Sequence, residues 1–567
     1  MPTLTTGRTS CFTRWGVALL ALACACKPKP IPNDPNAHVP LATAPEWNNW
    51  SENLVHKPAQ DGQKYYFSPT TRAELQTIVQ MAVEAGVSVR VTGQRHSQPP
   101  LVADDNRQAP PAKTIAWVVD LSCYADLGPE GKDDMVLDAA NKRLTVNAGI
   151  REDAVDAFLT DNNLMLKTVT AGGFFSIGGM TAIDVNGATI DAPIFAETAS
   201  AFEIMGPDGV VTRVDAQSPG VEGWSAIQFA RVSLGALGVV TSVTIDVAER
   251  PYATTLEGSR ARYTLNDEAA FVERYKELLA GHDRLESFYN PYTAEFLALA
   301  WNKEPNPSSP VPNSAGEVAS ACTFAEKDKP GAPFEVPVEE RVAEKTEEYV
   351  QVHGNREEAK LLIDFALRNI EKQVDAAAKK HSDLWLTAAA RVVFMSYFIE
   401  LPGVDDAGLS RAWKGIDAIT QRVTQSDEFL VAGPIEFRFI RGGNSALAGT
   451  YSTTPGSLFI NLDLIAFVKP VSASEYPEAM LKFFADIERE WIALGGWPHN
   501  GKMYGFFDPA GAADNFSAPF NPAFLADLAR RRGDRVQAFE SYRRTRDPKG
   551  LFCNDYLREL SLCGSAP

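Results

Sequence analysis

The chain has 567 residues. That is too long for one compact core, because single cores stop growing near roughly 250–300 residues, so two folded domains are expected. The formal net charge of −18 at pH 7 excludes a nucleic-acid partner, since phosphate binding needs a basic face; 45 % hydrophobic and 22 % charged residues exclude a disordered or fibrous chain.

In chain order, Arg8 and Arg14 precede an apolar stretch, Trp15 to Ala25, followed by small residues. This reads as an export signal over 1–26, too short to span a bilayer comfortably. Ala21-Leu22-Ala23-Cys24 and Ala23-Cys24-Ala25-Cys26 both have the form of bacterial lipoprotein processing sites, the alternative being plain secretory cleavage. Residues 27–46 read as a tether. Membrane contact is expected only through such a lipid anchor, with the mature protein periplasmic, held at the outer membrane, or secreted. A first folded unit is placed at 47–249. It holds a helix over Arg72–Ala85 capped by Ser68-Pro69-Thr70-Thr71, then strands at Val87–Val91, Thr114–Leu121 and Arg143–Ala148. A helix at Ile150–Asn162 and strands at Ala201–Met205 and Val239–Ala248 complete it. A second unit, 250–533, has strand candidates Glu286–Tyr289, Phe429–Ile440 and Ser457–Ala466. Its helix candidates are Asp267–Ala280, Arg356–Lys380, Leu409–Gln425 and Glu475–Gly495. Between them, Asn302–Glu347 is rich in Pro, Glu and Ser and reads as a surface loop or lid, partly disordered. A short third unit runs 534–567. The pattern is α+β. Cys553 and Cys563 lie near each other in sequence and suit a disulfide in an oxidising compartment. No metal site is expected: CxxC and HExxH are absent and the seven histidines are scattered.

Three stretches of the first unit carry the chemistry. A strand ends in the polar turn Gly93-Gln94-Arg95-His96-Ser97, whose free backbone N–H groups suit an anion. Ala171-Gly172-Gly173-Phe174-Phe175-Ser176-Ile177-Gly178-Gly179 lets backbone approach a ligand closely. Its glycine spacing is neither that of a Rossmann fingerprint nor of a P-loop. Leu234-Gly235-Ala236-Leu237-Gly238-Val239 reads as a tight turn feeding a buried strand.

In this order and spacing, these segments resemble the FAD-binding domain of the vanillyl-alcohol oxidase family, whose fold is the PCMH-type FAD-binding domain of two α+β subdomains. The resemblance implies a substrate domain with a large antiparallel sheet flanked by helices. It also implies FAD, bonded through the loop histidine, His96, with Gly93, Gln94, Arg95 and Ser97 around the pyrophosphate. Thr170, Ala171, Gly172, Gly173, Ser176, Ile177, Gly178, Gly179, Asn186 and Gly187 fall in or beside the second FAD loop, Gly238 and Val239 in the closing turn. The tail Asp547-Pro548-Lys549-Gly550-Leu551-Phe552, with Asn554, is similar to the family's C-terminal return to the FAD domain. Gln94-Arg95 departs from the small residues common before the histidine.

In the second unit, Pro434-Ile435-Glu436-Phe437-Arg438-Phe439 puts Glu436 and Arg438 on one strand face and the two phenylalanines on the other. A structural ion pair is the plainer reading of that face. Asn461 lies among apolar residues in the next strand candidate, and Trp497-Pro498-His499-Asn500-Gly501-Lys502 is dense in polar and aromatic groups. Together these resemble the substrate side of flavoprotein sterol and alditol oxidases in that family, and look closest to the covalent-flavin type of cholesterol oxidase. The resemblance extends to Glu286, in Glu286-Ser287-Phe288-Tyr289, as a residue of the site. It implies oxidation of a CH–OH group in a sterol-like or other bulky alcohol, with Glu436 taking the hydroxyl proton. Arg438 and Asn461 would orient the oxygen and Lys502 would face the negative charge of reduced flavin. O2 or another acceptor reoxidises the cofactor. A sugar, alditol or lactone oxidase, a dehydrogenase, and a flavin-shaped binding lipoprotein are the alternatives.

Overall fold

The computed structural model describes residues 46–57, 65–106, 116–250, 257–302, 338–379, 383–386, 391–467 and 475–564. The export signal, Cys24, Cys26, the tether up to residue 45 and Cys322 lie outside them. Among the described residues no helix is long and apolar enough to cross a membrane.

The first unit has two layers. Strands β1 (Trp47–Asn48) and β2 (Val55–His56) pair as a small ribbon at its start. Strands β3 (Tyr66–Phe67), β4 (Ser88–Thr92) and β5 (Ala116–Asp120) form a parallel sheet in the order β3-β5-β4. Helix α1 (Arg72–Ala85) packs Leu75, Ile78, Val79 and Ala82 against it, one face at helical spacing. Its start is fixed by Thr71, which accepts from the Glu74 N–H at 3.3 Å, while the Glu74 carboxylate accepts from the Thr70 N–H at 2.7 Å. Gly86, at φ +65°, ends it. The second layer is an antiparallel sheet, order β10-β9-β11-β7-β6 with β8 on β11: β6 (Met135–Asp138), β7 (Arg143–Asn147), β8 (Leu164–Leu166), β9 (Ala199–Met205), β10 (Val211–Asp215) and β11 (Val239–Glu249). Helices α2 (Glu152–Asp161), α3 (Ile177–Ala182) and α4 (Ala226–Ala230) accompany it.

The second unit is built on a seven-stranded antiparallel sheet, order β12-β14-β13-β16-β17-β15-β18. Its strands are β12 (Glu257–Thr264), β13 (Arg284–Asn290), β14 (Glu295–Asn302), β15 (Val393–Leu401), β16 (Ile435–Arg441), β17 (Leu458–Ala466) and β18 (Trp497–Pro498). One face is an aromatic core under α5 (Glu268–Gly281) and α8 (Asp406–Gln425). There Phe271, Tyr275, Phe296, Trp413 and Phe437 pack, Tyr275 to Phe437 at 5.4 Å. The other face carries the polar residues described below. Helices α6 (Val338–His353) and α7 (Arg356–Lys379) form a hairpin, and α9 (Glu478–Ala493), α10 (Pro522–Arg532), α11 (Asp534–Arg546) and α12 (Asp555–Glu559) follow. Cys553 and Cys563 are bonded.

Four expectations need correction. The strand placed at Phe429–Ile440 begins only at Ile435, because Pro434 has no N–H for a central ladder. The segment 338–347, read as loop, is the first part of α6; its Glu-, Ala- and Lys-rich sequence is helix-forming composition as much as loop composition. Strand β15 was not expected at all, although its Val393–Leu401 sequence is strand-like. The glycine stretch is not all loop: Ile177–Ala182 is helical, with Gly178 and Gly179 in its first turn.

Candidate active site

The polar turn after β4 closes one end of a cavity of about 1170 Å³, open mouth included, that runs between the two layers of the first unit. Gly93, Gln94, Arg95, His96 and Ser97 line it from one side, Ser176, Gly178 and Gly179 from another, and Gly238 at the closing turn. These loops touch so closely that side chains would collide. A Cβ on Gly93 would lie 2.1 Å from Ser176 Oγ, and one on Gly178 2.8 Å from Ala148 Cβ. Gly238, at φ +132°, would meet the Met205 carbonyl at 2.5 Å. Arg95, at φ +61°, is the strained residue of the turn. Its carbonyl is held by the Trp50 N–H at 2.8 Å, and His96 next to it stacks on Trp50 with centroids 4.9 Å apart. Phe175 meets the imidazole edge-on at 4.7 Å. Burial, then the cations Lys502, Arg95 and Arg151, push the His96 pKa well below the ordinary imidazole value, so the ring is neutral.

Trp50 also lines a second cavity in the substrate unit, of about 1140 Å³ with its open mouth included, so the Trp50–His96 stack stands between the two spaces. Its walls are mostly apolar: Phe288, Ile370, Trp385, Leu386, Phe394 and Phe467 among them. At its inner end stand Glu286, Glu436 and Arg438. Sheet register explains the cluster. Glu286 on β13 is opposite Arg438 on β16, which is opposite Asn461 on β17; Glu436 is opposite Asp463 in the adjacent row. Residues two apart share a face, so all five point the same way. Arg438 Nη2 donates to Glu286 Oε1 at 2.7 Å and to Glu436. Burial works against the charge on Arg438, but Glu286, Glu436 and Asp463 more than reverse it, so it stays cationic. Burial also pushes Glu286 up, yet Arg438, with hydrogen bonds from Glu436, Arg438 and Trp385, leaves it below the ordinary carboxyl value. Glu436 goes the other way: burial, with repulsion from Glu286 and Asp463, outweighs Arg438 and raises it well above that value. The two carboxyls share one guanidinium, and Glu436 is the member pushed toward its protonated form.

Asn461 donates to Ser396 Oγ at 3.0 Å and accepts from Asn186 Nδ2 at 3.2 Å. Lys502 Nζ lies 3.8 Å from the Phe394 ring centroid. Burial lowers the Lys502 pKa, while Asp463 and Glu436 support its charge. Its turn is anchored by buried Asp184, which accepts from the Asn500 N–H at 2.8 Å and Nδ2 at 2.6 Å, and from the Gly449 N–H at 2.8 Å.

Not every expected cofactor residue lines the first cavity. Thr170 is taken up by Glu152, its N–H donating at 2.8 Å, and Gly187 packs on Val169, where a Cβ would meet the carbonyl at 2.2 Å. Ala171 lines the substrate cavity. Gly172 packs against Phe174 and Gly173 against Asp153 and Leu384. Ile177 and Val239 are core. Asn554 caps α12 and donates to the Pro100 carbonyl at 2.8 Å. Trp50, Arg151, Asp184, Trp385 and Asp463 belong to the site and were not expected. Only Asp463 had a signal, lying two residues beyond Asn461 on a strand.

A cavity between two layers, lined in part by the backbone of Gly93, Gly178, Gly179 and Gly238 and by a neutral imidazole, fits FAD. Two family models match this chain: "FAD binding domain" over residues 63–215 and "D-arabinono-1,4-lactone oxidase" over residues 410–560. The chain is 25 % identical over 269 residues to an L-gulono-1,4-lactone dehydrogenase of Mycobacterium tuberculosis, covering 47 % of this chain and 55 % of that protein. It is 25 % identical over 202 residues to the mouse (Mus musculus) L-gulonolactone oxidase, covering 35 % of this chain and 40 % of that one. It thus spans about half the length of the curated relatives it matches. Among solved structures, a solvent-stable cholesterol oxidase superposes with a TM-score of 0.67 at 17 % identity, covering 94 % of this chain and 100 % of that one. A cholesterol oxidase from B. sterolicum gives 0.66 at 15 % identity, covering 91 % and 96 %; at such identity the likeness shows the fold. With its two-layer FAD-binding unit and large antiparallel substrate sheet, the chain has the fold of the PCMH-type FAD-binding flavoproteins.

Proposed function

We propose that this protein is an FAD-dependent oxidoreductase that oxidises the CH–OH group of a bulky, largely apolar alcohol. The carrying observation is the second cavity, whose lining is mostly apolar and includes the charged cluster Glu286, Glu436 and Arg438, with Glu347 the other charged residue that lines it. Such a space desolvates a hydrocarbon body and presents one polar group to the cluster. FAD held in the first cavity supplies the hydride acceptor. The neutral imidazole of His96 is the form that bonds to carbon, and we read the cofactor as covalent through it. With FAD bound there, Gly93, Gln94, Ser97 and the Ser176–Gly179 backbone would hold its diphosphate, and Lys502 would supply positive charge to its reduced form. Arg438 orients the substrate oxygen, Asn461 fixes the wall beside it, and Glu436 in its ionised form accepts the hydroxyl proton. O2 or another acceptor completes turnover. The names of the sequence relatives favour a second reading, an aldonolactone oxidase or dehydrogenase at the same site. Export and a lipid anchor at Cys24 or Cys26 remain part of the proposal, resting on Arg8, Arg14 and the apolar stretch after them.

The test is a visible spectrum of the purified protein and of its acid-washed pellet, followed by turnover with a sterol in micelles and with an aldonolactone. Flavin colour that stays with the pellet, and is lost in His96→Ala, supports the covalent link. Colour that washes out removes it. Sterol turnover with peroxide release supports the main reading, and turnover of the lactone alone replaces it by the second. No flavin in either fraction after incubation with FAD overturns both.

A further inference from the structure

Residues 383–386 carry no recognisable motif, yet each of the four makes a contact that fixes them against both folded units. Asp383 is buried between two guanidinium groups. Arg250, directly after β11, donates from Nη2 to its Oδ2 at 3.4 Å, and Arg284, the first residue of β13, stands 3.8 Å from its Oδ1. Arg250 is tied in turn to α2, through Thr160 at 2.9 Å and Asp156 at 3.8 Å. The Leu386 N–H donates to the Ala171 carbonyl of the glycine-rich loop at 2.9 Å. Leu384 fills the space over Gly173, where a Cβ would come within 2.6 Å of its Cδ1. Between them, Trp385 donates its indole N–H to Glu286 Oε2 at 3.1 Å and meets Phe288 edge-on at 6.2 Å.

Glu286 and Glu436 both bind Nη2 of Arg438 from neighbouring rows of one sheet face. The other charged groups acting on the pair are Asp463 of β17, on Glu436, and Lys502, which itself senses Glu436. Trp385 breaks the near-symmetry of the two carboxyls, because its N–H donates to Glu286 alone. A donor on a carboxylate favours its charged form. We propose that Asp383–Leu386 is a positioning strap: Asp383, clamped by Arg250 and Arg284, sets Trp385 so that its indole N–H holds Glu286 on Arg438 and assigns the exchangeable proton of the pair to Glu436. Asp383 is a positioning residue that acts through Trp385, which lines the substrate cavity and holds Glu286. The kinetic part rests on the proposed role of Glu436 and Arg438; the structural part does not.

The experiment uses the protein as isolated and two variants, Trp385→Phe and Asp383→Asn. The first readout is the infrared band of the protonated carboxyl. In the unmodified strap, Glu436→Gln removes it and Glu286→Gln does not; with Trp385→Phe, both substitutions weaken it. The second is amide hydrogen exchange, which Asp383→Asn accelerates at 383–386. The third is turnover of whichever probe, sterol or aldonolactone, the enzyme accepts. In Trp385→Phe, Glu286 is no longer held on Arg438 and kcat falls about tenfold, while the alkaline climb of the kcat pH profile moves to lower pH because Glu436 gives up the shared proton; the melting temperature falls by a few degrees. Added to Trp385→Phe, Asp383→Asn lowers kcat no further, because it acts through the indole. Should Asp383→Asn not fold, Asp383→Glu keeps the charge and takes its place. Additive kcat losses, or a carboxyl band that stays on Glu436 alone without the indole, overturn the proposal. Full turnover by Glu436→Gln overturns the functional reading, while the infrared and exchange readouts still decide the strap.

Discussion

Arg438 has the most to lose from a single substitution. Its guanidinium faces two carboxyls directly, with Asp463 acting on it and on Glu436, and while Glu286 and Asp463 are buried, the side chains of Arg438 and Glu436 keep 13 % and 12 % exposure. Removing one partner of a buried charge pair costs about 3–5 kcal/mol, because the other charge is left uncompensated. Arg438→Met should therefore lower turnover by about 100-fold or more while the flavin absorbance of the purified protein is retained; normal turnover removes Arg438 from the chemistry. Glu436 gives a signed pH prediction. Its pKa is raised well above the ordinary carboxyl value, chiefly by burial, so a reaction that uses it as base speeds up as pH rises through that pKa. A pH profile of kcat should climb on its alkaline side, and Glu436→Gln should flatten that climb. Glu436 and Arg438 were legible in the sequence because strand alternation is a local rule. Their pairing with Glu286 is a register between strands 150 residues apart, which local rules do not reach; only family resemblance brought Glu286 to the site. Trp385 gave no signal, since its role depends entirely on what faces it.

At the scale of elements, periodicity served well where one face is buried and ends are marked. Helix α1 matches its expected span because Thr71 and Gly86 bound a clean apolar stripe. It failed where composition misled, as in α6, and where a proline ended a run of apolar residues that are buried without being strand, as at Phe429–Pro434. The turn at 499–503, dense in polar and aromatic groups, is mostly buried, because it is held from the other unit. Asp184 does this, accepting two hydrogen bonds from Asn500 and one from Gly449. Burial raises the Asp184 pKa and the backbone donors oppose it. Asp184→Asn replaces one acceptor oxygen by an NH2 that faces N–H groups. Unsatisfied buried donors cost roughly 1–3 kcal/mol each. The melting temperature should fall by several degrees, and protease cleavage near 499–503 should quicken; an unchanged melt and cleavage pattern would mean that other contacts hold the turn.

Across the whole molecule, buried carboxyls tie stability to pH in a direction opposite to that of surface ion pairs. Burial pushes Glu152 and Asp156 on α2 and Glu488 on α9 up to about 7. The unfolded chain titrates these groups near the ordinary carboxyl value of about 4. Between that value and 7 the folded protein binds protons that the unfolded chain does not. Their contribution is complete below the ordinary value and is lost as pH rises to about 7. His56, His96 and His499, all lowered chiefly by burial, act with the opposite sign below about 6.5, where the unfolded chain protonates them. The total slope is therefore a difference, and a single group must be isolated to see it. Glu488 suits this, because it joins three elements without facing the substrate. Its carboxylate accepts from Tyr397 on β15 at 2.5 Å and from the Gly505 and Phe506 N–H groups at 2.6 and 2.8 Å. Glu488→Gln keeps the shape and cannot ionise. The gap in melting temperature between parent and variant should shrink by several degrees from pH 5 to pH 8, since each pKa unit is worth about 1.4 kcal/mol. A constant gap would mean that Glu488 is ionised across the whole range, with its three donors outweighing the cost of burial.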